Sequence, residues 1–183
     1  MSMAELTSLL RDDSLTRAQR LTRLQGWRGV DAACAEAAPA AQRIGPAVCA
    51  VGALLGAALQ APLVPALFAA TALAGAVAPH HPFESLSNRW ARRRGSGALP
   101  PNRAAKRFGC AVGVAFLGGA ALAFASGATT LGVVLSLMLG CTAAFVAVTG
   151  ICLPSMLFTV LWGAERAAAP HLFGAPDSAR SDA

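Results

Sequence analysis

The chain has 183 residues, of which 55% are hydrophobic and only 13% charged, with a net charge of +6 and no tyrosine. Soluble domains carry about 25% charged residues, so this composition excludes an ordinary soluble domain. The charge is also segregated, because residues 44–79 and 108–164 contain no Asp, Glu, Lys, Arg or His. Apolar runs of about 20 residues can span the hydrocarbon core of a bilayer, and these two runs therefore predict an integral membrane protein.

The amino-terminal stretch, residues 1–43, carries six Arg and five acidic residues. Asp13 or Ser14 can cap a helix that runs to about Gln25, and Gly26 would end it. The leucines of this helix form a moderate apolar face, which suits either an interfacial helix on anionic lipid or a helix that docks to a partner. We therefore predict a cytoplasmic or interfacial helical segment ahead of the membrane domain.

The first apolar run is too long for a single span. As one helix, residues 44–79 would extend about 54 Å, nearly twice the hydrocarbon thickness of a bilayer. The break is predicted at Gln60-Ala61-Pro62, because proline lacks a backbone donor and disfavours helix in the residue before it. The resulting transmembrane helices cover about residues 44–60 and 63–78.

Two adjacent histidines, His80 and His81, follow the second predicted helix. Neighbouring side chains point in different directions, so the pair is not expected to share a metal ion. Both are interpreted as polar residues at the point where the chain leaves the membrane. The alternative is that His80 is a single axial ligand to a haem or to the magnesium of a pigment.

The connector over residues 79–107 contains seven basic residues and one acid, Glu84. We expect the basic side chains to lie at the membrane face, where they set the orientation of the protein and contact anionic headgroups or an acidic partner. No nucleic-acid-binding motif frames them, so nucleic acid is not an expected partner. The predicted lipid or partner contacts are Arg89, Arg92, Arg93, Arg94, Arg103, Lys106 and Arg107.

The second apolar run breaks at residues 126–130, Ser-Gly-Ala-Thr-Thr, which form a small polar turn cluster. This break separates helices predicted over about residues 108–125 and 131–153. Gly150 and Pro154 then bracket a predicted kink, beyond which an interfacial helix continues towards Trp162.

The distribution of charge predicts the topology. All fifteen basic and all nine acidic residues lie in residues 1–43, 79–107 and 164–183. Four spans, arranged as two hairpins, place these three segments on one face, and the positive-inside bias makes that face cytoplasmic. We therefore predict an all-α protein of the bacterial inner (plasma) membrane with both termini in the cytoplasm, a four-helix transmembrane domain over residues 44–163 and a flexible tail over 164–183.

Small residues predict close packing between these helices. Gly52 and Gly56 in the first hairpin, and Gly109 and Gly113 in the second, are pairs spaced four residues apart, so each pair shares a helix face. Such pairs let two helix backbones approach closely. The expected partner is another helix of the same bundle, and a helix of a second membrane protein is the alternative.

Several short motifs follow one another in a defined order. Arg43 opens the first hairpin, and it is followed by His81-Pro82-Phe83, by LPPNRAAKRF at residues 99–108 and by VTGICLP at residues 148–154. This arrangement resembles the bacterial membrane proteins grouped as domain-of-unknown-function family 4395, over about residues 43–163. The resemblance implies a small helical membrane domain and no defined biochemical role.

Many members of this family carry a C-x-x-C pair near the end of the last span. The matching residues here are Cys152-Leu153-Pro154-Ser155, so only the first cysteine is present. If the pair performs thiol redox chemistry in those proteins, this chain lacks the resolving thiol. The departure from the family pattern speaks against a redox enzyme.

The predicted spans contain no ionisable Asp, Glu, Lys, Arg or His, whereas ion and proton carriers usually keep one inside the membrane. No nucleophile–base pair, metal cluster or phosphate loop can be assembled from the sequence. We therefore predict a non-catalytic accessory or scaffold subunit of a larger respiratory or photosynthetic membrane complex, with anionic lipid and other membrane subunits as partners and no cofactor. Two alternatives stay open: a component of sulfur or thiol handling that uses Cys152, and a small-solute channel or carrier that uses the interface between the hairpins.

Overall fold

A computed structural model of the chain describes residues 7, 11–16, 19–20, 32–93, 101–170 and 172. These residues are helical or irregular and include no strand, which confirms the all-α class. The helices are α1 (Ala32–Leu59), α2 (Leu63–Val77), α3 (Pro82–Arg93), α4 (Ala104–Ala125), α5 (Thr129–Thr149), α6 (Leu153–Trp162) and α7 (Ala164–Ala167).

Both predicted hairpin turns are present. Helix α1 ends at Leu59, Gln60 adopts a positive φ of 50°, and α2 begins directly after Pro62. In the second hairpin Gly127 has a φ of 79°, a left-handed conformation that favours glycine. Its neighbour Ala128 donates its backbone N–H to Ala123 O at 2.8 Å, which closes the end of α4.

Two of the four predicted spans are long and apolar enough to cross a membrane. They are α4, with 22 residues, and α5, with 21. Helix α2 has 15 residues and the apolar part of α1 covers Arg43–Leu59, so both fall short of that length. Large apolar side chains remain exposed along the outside of the bundle, as Leu63 (67% exposed), Leu122 (73%) and Val148 (76%) illustrate.

The two hairpins interlock. Helix α1 packs mainly against α5, and α2 mainly against α4, so the main neighbour of each helix belongs to the other hairpin. The glycines singled out in the sequence lie at contacts within this bundle. Gly52, Gly56 and Gly113 all face side chains of α2, while Gly109 faces Cys152 and the start of α6.

The last predicted span, over residues 131–153, ends early. Helix α5 stops at Thr149, and Gly150 ends it with a φ of 75°, after which Cys152 is the N-cap of a separate helix. The chain therefore turns at the predicted kink rather than bending within one helix.

The segment after α6 packs back onto the start of α4. The backbone N–H of Ala104 donates to Ala169 O at 2.9 Å and so satisfies one of the free donors of that helix end. Ala104, Ala105, Ala167 and Ala169 are fully buried together. The segment predicted as a flexible tail from residue 164 is thus packed against α4 at Ala167 and Ala169, and residues 171 and 173–183 lie outside the described part of the chain.

Helix α1 begins before the predicted membrane domain. Its first residue is Ala32, so no helix break separates the amino-terminal segment from the apolar run at residue 44. Most of the helix predicted from Ser14 to Gln25 lies outside the described residues.

Candidate cavity between the hairpins

A buried ion pair joins the connector helix to the second hairpin. The Lys106 ammonium of α4 binds Glu84 Oε1 of α3, and the two side chains are only 11% and 2% exposed. Glu84 is the only acidic residue between residues 37 and 164. The one acid of a strongly basic connector is therefore used inside the protein, where it neutralises a cation.

Asn102 ties this pair to the end of α2. Its backbone N–H donates to Pro79 O at 2.6 Å, and its side chain is 1% exposed. The amide orientation that satisfies all neighbours places Nδ2 3.1 Å from Glu84 Oε2 and the side-chain oxygen 3.2 Å from the His81 backbone nitrogen. Asn102 and Glu84 thus hold His81 in position through its backbone.

Arg107 caps the carboxyl end of α2. Its Nη1 donates to Val77 O at 2.9 Å and to Ala76 O at 3.3 Å, and its Nε donates to Asn102 O at 3.2 Å. Ala76 O and Val77 O lie in the last turn of α2, where carbonyl groups lack a partner within the helix, so a cation there is favourable.

The basic residues predicted to contact lipid or a partner divide into two groups. Lys106 and Arg107 (5% exposed) are turned inward, contrary to the prediction, because the buried carboxylate and the helix end satisfy their charge better than the surface would. Arg89 and Arg93 of α3 are exposed and Arg103 is half-buried. The structure does not describe the side chain of Arg92, and Arg94 lies outside the described residues.

A cavity of about 110 Å³ lies where the two hairpins and the connector meet. Its walls come from α1, α2, α4 and α5, from the first turns of α3 and α6 and from the residues directly before those two helices. Most wall residues are glycine or aliphatic, but three thiols border it: Cys49 of α1, Cys110 of α4 and Cys152 before α6. Each of these cysteines is reduced and partly exposed.

His81 is a buried polar residue of the cavity wall. It is 4% exposed, and its Nδ1 has no hydrogen-bond partner. That atom lies 3.8 Å from where a Cβ on Gly45, another wall residue, would be placed. Burial lowers the pKa of His81, an effect that the Glu84 carboxylate opposes and Lys106 reinforces. The imidazole is consequently held in its neutral form with one ring nitrogen available.

Gly75 of α2 makes room for this histidine. A Cβ at that position would overlap the His81 ring, lying 3.2 Å from Cγ, and would also lie 3.0 Å from Cys110 Sγ. The histidine ring and the Cys110 thiol therefore border the same point of α2, on which only glycine leaves enough space.

Cys152 lies beside a hydroxyl with a single proton to donate. Ser155 Oγ is 3.0 Å from both Cys152 Sγ and Ala105 O. Because a hydroxyl has one proton, it can donate to the carbonyl or to the sulfur but not to both at once. When the Ser155 hydroxyl donates its proton to Ala105 O, the Cys152 thiol can donate to Ser155 Oγ.

The site residues proposed from the sequence are brought together only in part. Cys152, Gly109 and Gly113 border the cavity, whereas His80, the proposed haem or pigment ligand, does not and His81 does. The sequence did not indicate that one site contains Cys49, Cys110, Glu84 and Asn102. Glu84 could have been noticed from the sequence, because it is the one acidic residue among seven basic residues of the connector. A single carboxylate in such a segment is a candidate for a buried ion pair. Within the described residues, no group of three or more His, Cys, Asp or Glu side chains is arranged to hold a metal ion.

Comparison with known proteins returned one family. A family model described as Domain of unknown function (DUF4395) matches residues 39–162, which is more than half of the chain. No curated protein and no solved structure matches the chain.

Proposed function

This chain belongs to the family described as Domain of unknown function (DUF4395), and we propose that it is a four-span membrane protein that binds a small thiol-reactive solute in the cavity between its hairpins. The observation that carries this proposal is the convergence of Cys49, Cys110 and Cys152, from three separate parts of the chain, on one cavity with an unpartnered buried histidine. The proposed role is therefore thiol handling, and no particular catalysed reaction is assigned to the protein.

The membrane arrangement rests on the long helices and on the placement of charge. Helices α4 and α5 have the required length. The 15 residues of α2 rise about 22 Å, short of the roughly 30 Å hydrocarbon core, and a bilayer accommodates such a mismatch by local thinning. Four spans keep every charged segment on one face, which the positive-inside bias makes cytoplasmic.

Cysteine labelling at the two hairpin tips tests the number of spans. Gln60→Cys and Ser126→Cys should both react with a membrane-impermeant maleimide from the outside of intact cells. Ser85→Cys, in the connector, should react only after the membrane is opened. If only α4 and α5 cross the membrane, Gln60→Cys will label on the same side as Ser85→Cys, and the four-span arrangement is then wrong.

The cavity suits a solute of a few non-hydrogen atoms. Its volume of about 110 Å³ is several times what a single water molecule needs. The wall is largely apolar, so a solute with apolar surface would gain free energy by leaving water. Thiols placed at three points of such a wall can meet a bound solute from several sides.

The missing second cysteine of the family's C-x-x-C pair does not preclude this role. Its position is taken by Ser155, which contacts Cys152 Sγ. Cys110 and Cys49 approach the same cavity from other helices, so a second thiol can come from the tertiary structure instead of from the adjacent turn. Thiol exchange requires access and a nearby sulfur, and it does not require that the two cysteines be close in sequence.

Modification by methyl methanethiosulfonate, which is small and neutral, tests the proposal. Cys152 should form the methyl disulfide with release of methanesulfinic acid, as detected by peptide mass spectrometry. Ala143→Leu, which adds bulk to the cavity wall, should slow this reaction about tenfold or more, since a filled cavity excludes the reagent. Cys141 is exposed on α5 and does not border the cavity, so its modification should be unchanged in the same sample. An unreactive Cys152, or equal effects at both cysteines, would contradict the proposal.

The accessory-subunit role stays a prediction. The exposed leucines and valines of the helices suit lipid as well as a protein neighbour, and they favour no particular complex. A carrier role also stays a prediction. It is compatible with the cavity, because a carried solute would bind at the interface of the two hairpins.

A further inference from the structure

We infer that the solute taken by this cavity is an uncharged sulfur compound of a few non-hydrogen atoms, such as a small disulfide that bears one hydroxyl group or an alkyl thiosulfonate. The inference rests on the proposed function and narrows it, because it names the charge and chemical class of the ligand. It follows from the charges and the hydrogen-bonding groups that face the cavity.

The cavity wall has no net charge. Glu84 and Lys106 both border the cavity, but they are paired with each other and buried. Arg107 does not border it, and its guanidinium is directed at the carbonyl groups that end α2. Within the described residues, the wall therefore presents neither a free cation to attract an anion nor a free anion to attract a cation.

A charged guest would lose hydration that nothing in the wall replaces. Most of the wall residues are glycine, alanine, valine, leucine or proline, and transfer of an ion to such a site is far more costly than transfer of a neutral molecule. The Glu84–Lys106 pair does not compensate, since drawing either partner to the guest would leave the other charge buried alone.

Apart from the thiols and Thr142, whose hydroxyl donates to Met138 O, one polar position remains for the guest. His81 Nδ1 is buried, without a partner, and belongs to the wall. A buried ring nitrogen without a partner is costly, so a guest that offers it a hydrogen bond is favoured. The matching guest is apolar over most of its surface and carries one neutral hydrogen-bonding group.

Sulfur chemistry follows from the three thiols of the cavity wall. The Cys152 sulfur attacks one sulfur of a bound R–S–S–R′, a Cys152–S–S–R bond forms, and the S–S bond of the guest breaks. The proton of the Cys152 thiol ends on the departing R′–SH. Thiol–disulfide exchange conserves the number of disulfides, so no further oxidant or reductant is required.

Three methanethiosulfonates that share a reactive group but differ in charge test the inference: the neutral propyl, the anionic sulfonatoethyl and the cationic trimethylammonioethyl reagent. The full-length protein is held in lipid nanodiscs, so that both faces are accessible, and each rate at Cys152 is divided by the rate of the same reagent with a free small thiol. We expect the propyl reagent to modify Cys152 at least about tenfold faster than either charged reagent, because only the charged reagents lose hydration without replacement.

Substitutions in the ion pair then reverse the preference. Glu84→Gln removes the carboxylate that neutralises Lys106 and should favour the anionic reagent. Lys106→Gln should favour the cationic one, and the double substitution should restore the preference for the neutral reagent. Arg93→Gln removes an exposed charge of α3 away from the cavity and should leave the order of rates unchanged.

The rates of the three reagents with the unsubstituted protein test the inference even if the variants are unstable. Normalised rates of either charged reagent that equal or exceed those of the propyl reagent would overturn the inference and leave the thiol site standing. Failure of all three reagents to modify Cys152 would overturn both the inference and the proposed function.

Discussion

Lys106 of α4 and Glu84 of α3 form an ion pair that is almost fully withdrawn from solvent. The pair joins the connector to the second hairpin beside the cavity. Burial of two charges is costly, and the arrangement is stable only while both partners are present. Removal of one partner leaves the other charge largely buried and without its main compensation.

We therefore expect Glu84→Gln to lower the free energy of unfolding by about 3 kcal/mol, as is typical when one member of a buried pair is removed. Chemical denaturation in mixed micelles measures this change. The double substitution of Glu84 and Lys106 by Gln should recover part of the loss, and Ser85→Ala, on the exposed side of α3, is the control. A single substitution that costs no more than the control would show that the pair does not stabilise the fold.

Gly75 is expected to tolerate no side chain. Gly75→Ala introduces a Cβ against the His81 ring and Cys110 Sγ, and such overpacking should cost about 1–3 kcal/mol. Gly118→Ala is the matched control, since a Cβ there meets nothing within 4 Å and alanine favours helix. Thermal unfolding of the two variants compares them directly, and similar midpoints would contradict the close approach at Gly75.

The stability of the fold is expected to fall as the pH is lowered. Burial lowers the pKa of His81 from 6.5, so the unfolded chain takes up a proton at a pH where the folded chain does not. The contribution of His81 is complete above pH 6.5, declines as the pH falls from there towards the lower folded pKa, and levels off below it.

Unfolding free energies measured between pH 8 and 5 should thus decline with a slope of up to about 1.4 kcal/mol per pH unit from this residue. His81→Gln should flatten the decline, whereas His80→Gln, which does not alter the cavity wall, should retain it. An identical pH profile for the His81 variant and the unsubstituted protein would rule out His81 as its source.

Arg107 is expected to stabilise the junction of the two hairpins through its planar guanidinium. Arg107→Lys keeps the charge but cannot donate to Ala76 O, Val77 O and Asn102 O together, so it should cost about 1–2 kcal/mol. Arg93→Lys, at an exposed position of α3, should have no measurable effect. Unfolding midpoints that do not differ between the two lysine variants would contradict the capping role.

The ends of the helices could largely be predicted from local sequence. Proline at Pro62 and glycine at Gly127 and Gly150 favour turns through their own backbone preferences, so a break is visible within a few residues of the chain. The start of α1 was missed because the boundary was placed where charge disappears. Charge reports the surroundings of a segment, whereas the seven alanines of residues 32–41 favour helix before that boundary, and the helix continues through Pro39.

The candidate site could be predicted only in fragments. Cys152 was named because it occupies a motif position, but Cys49 and Cys110 lie in featureless apolar runs, where a small buried cysteine resembles any other apolar residue. Lys106 was assigned to the lipid surface because basic residues near a membrane usually lie there. Its inward direction depends on Glu84, which is 22 residues away in sequence and reaches Lys106 only in the folded structure.

The sequence by itself determined the helical class, the positions of the turns and the separation of charged from apolar segments, since backbone preference and hydration act residue by residue. Only the tertiary structure decided that α1 packs against α5 and α2 against α4. That pairing closes a cavity around three thiols and His81, and it buries Glu84 with Lys106. Such contacts depend on which helix faces meet, and side-chain packing between distant segments leaves no periodic signal in the chain.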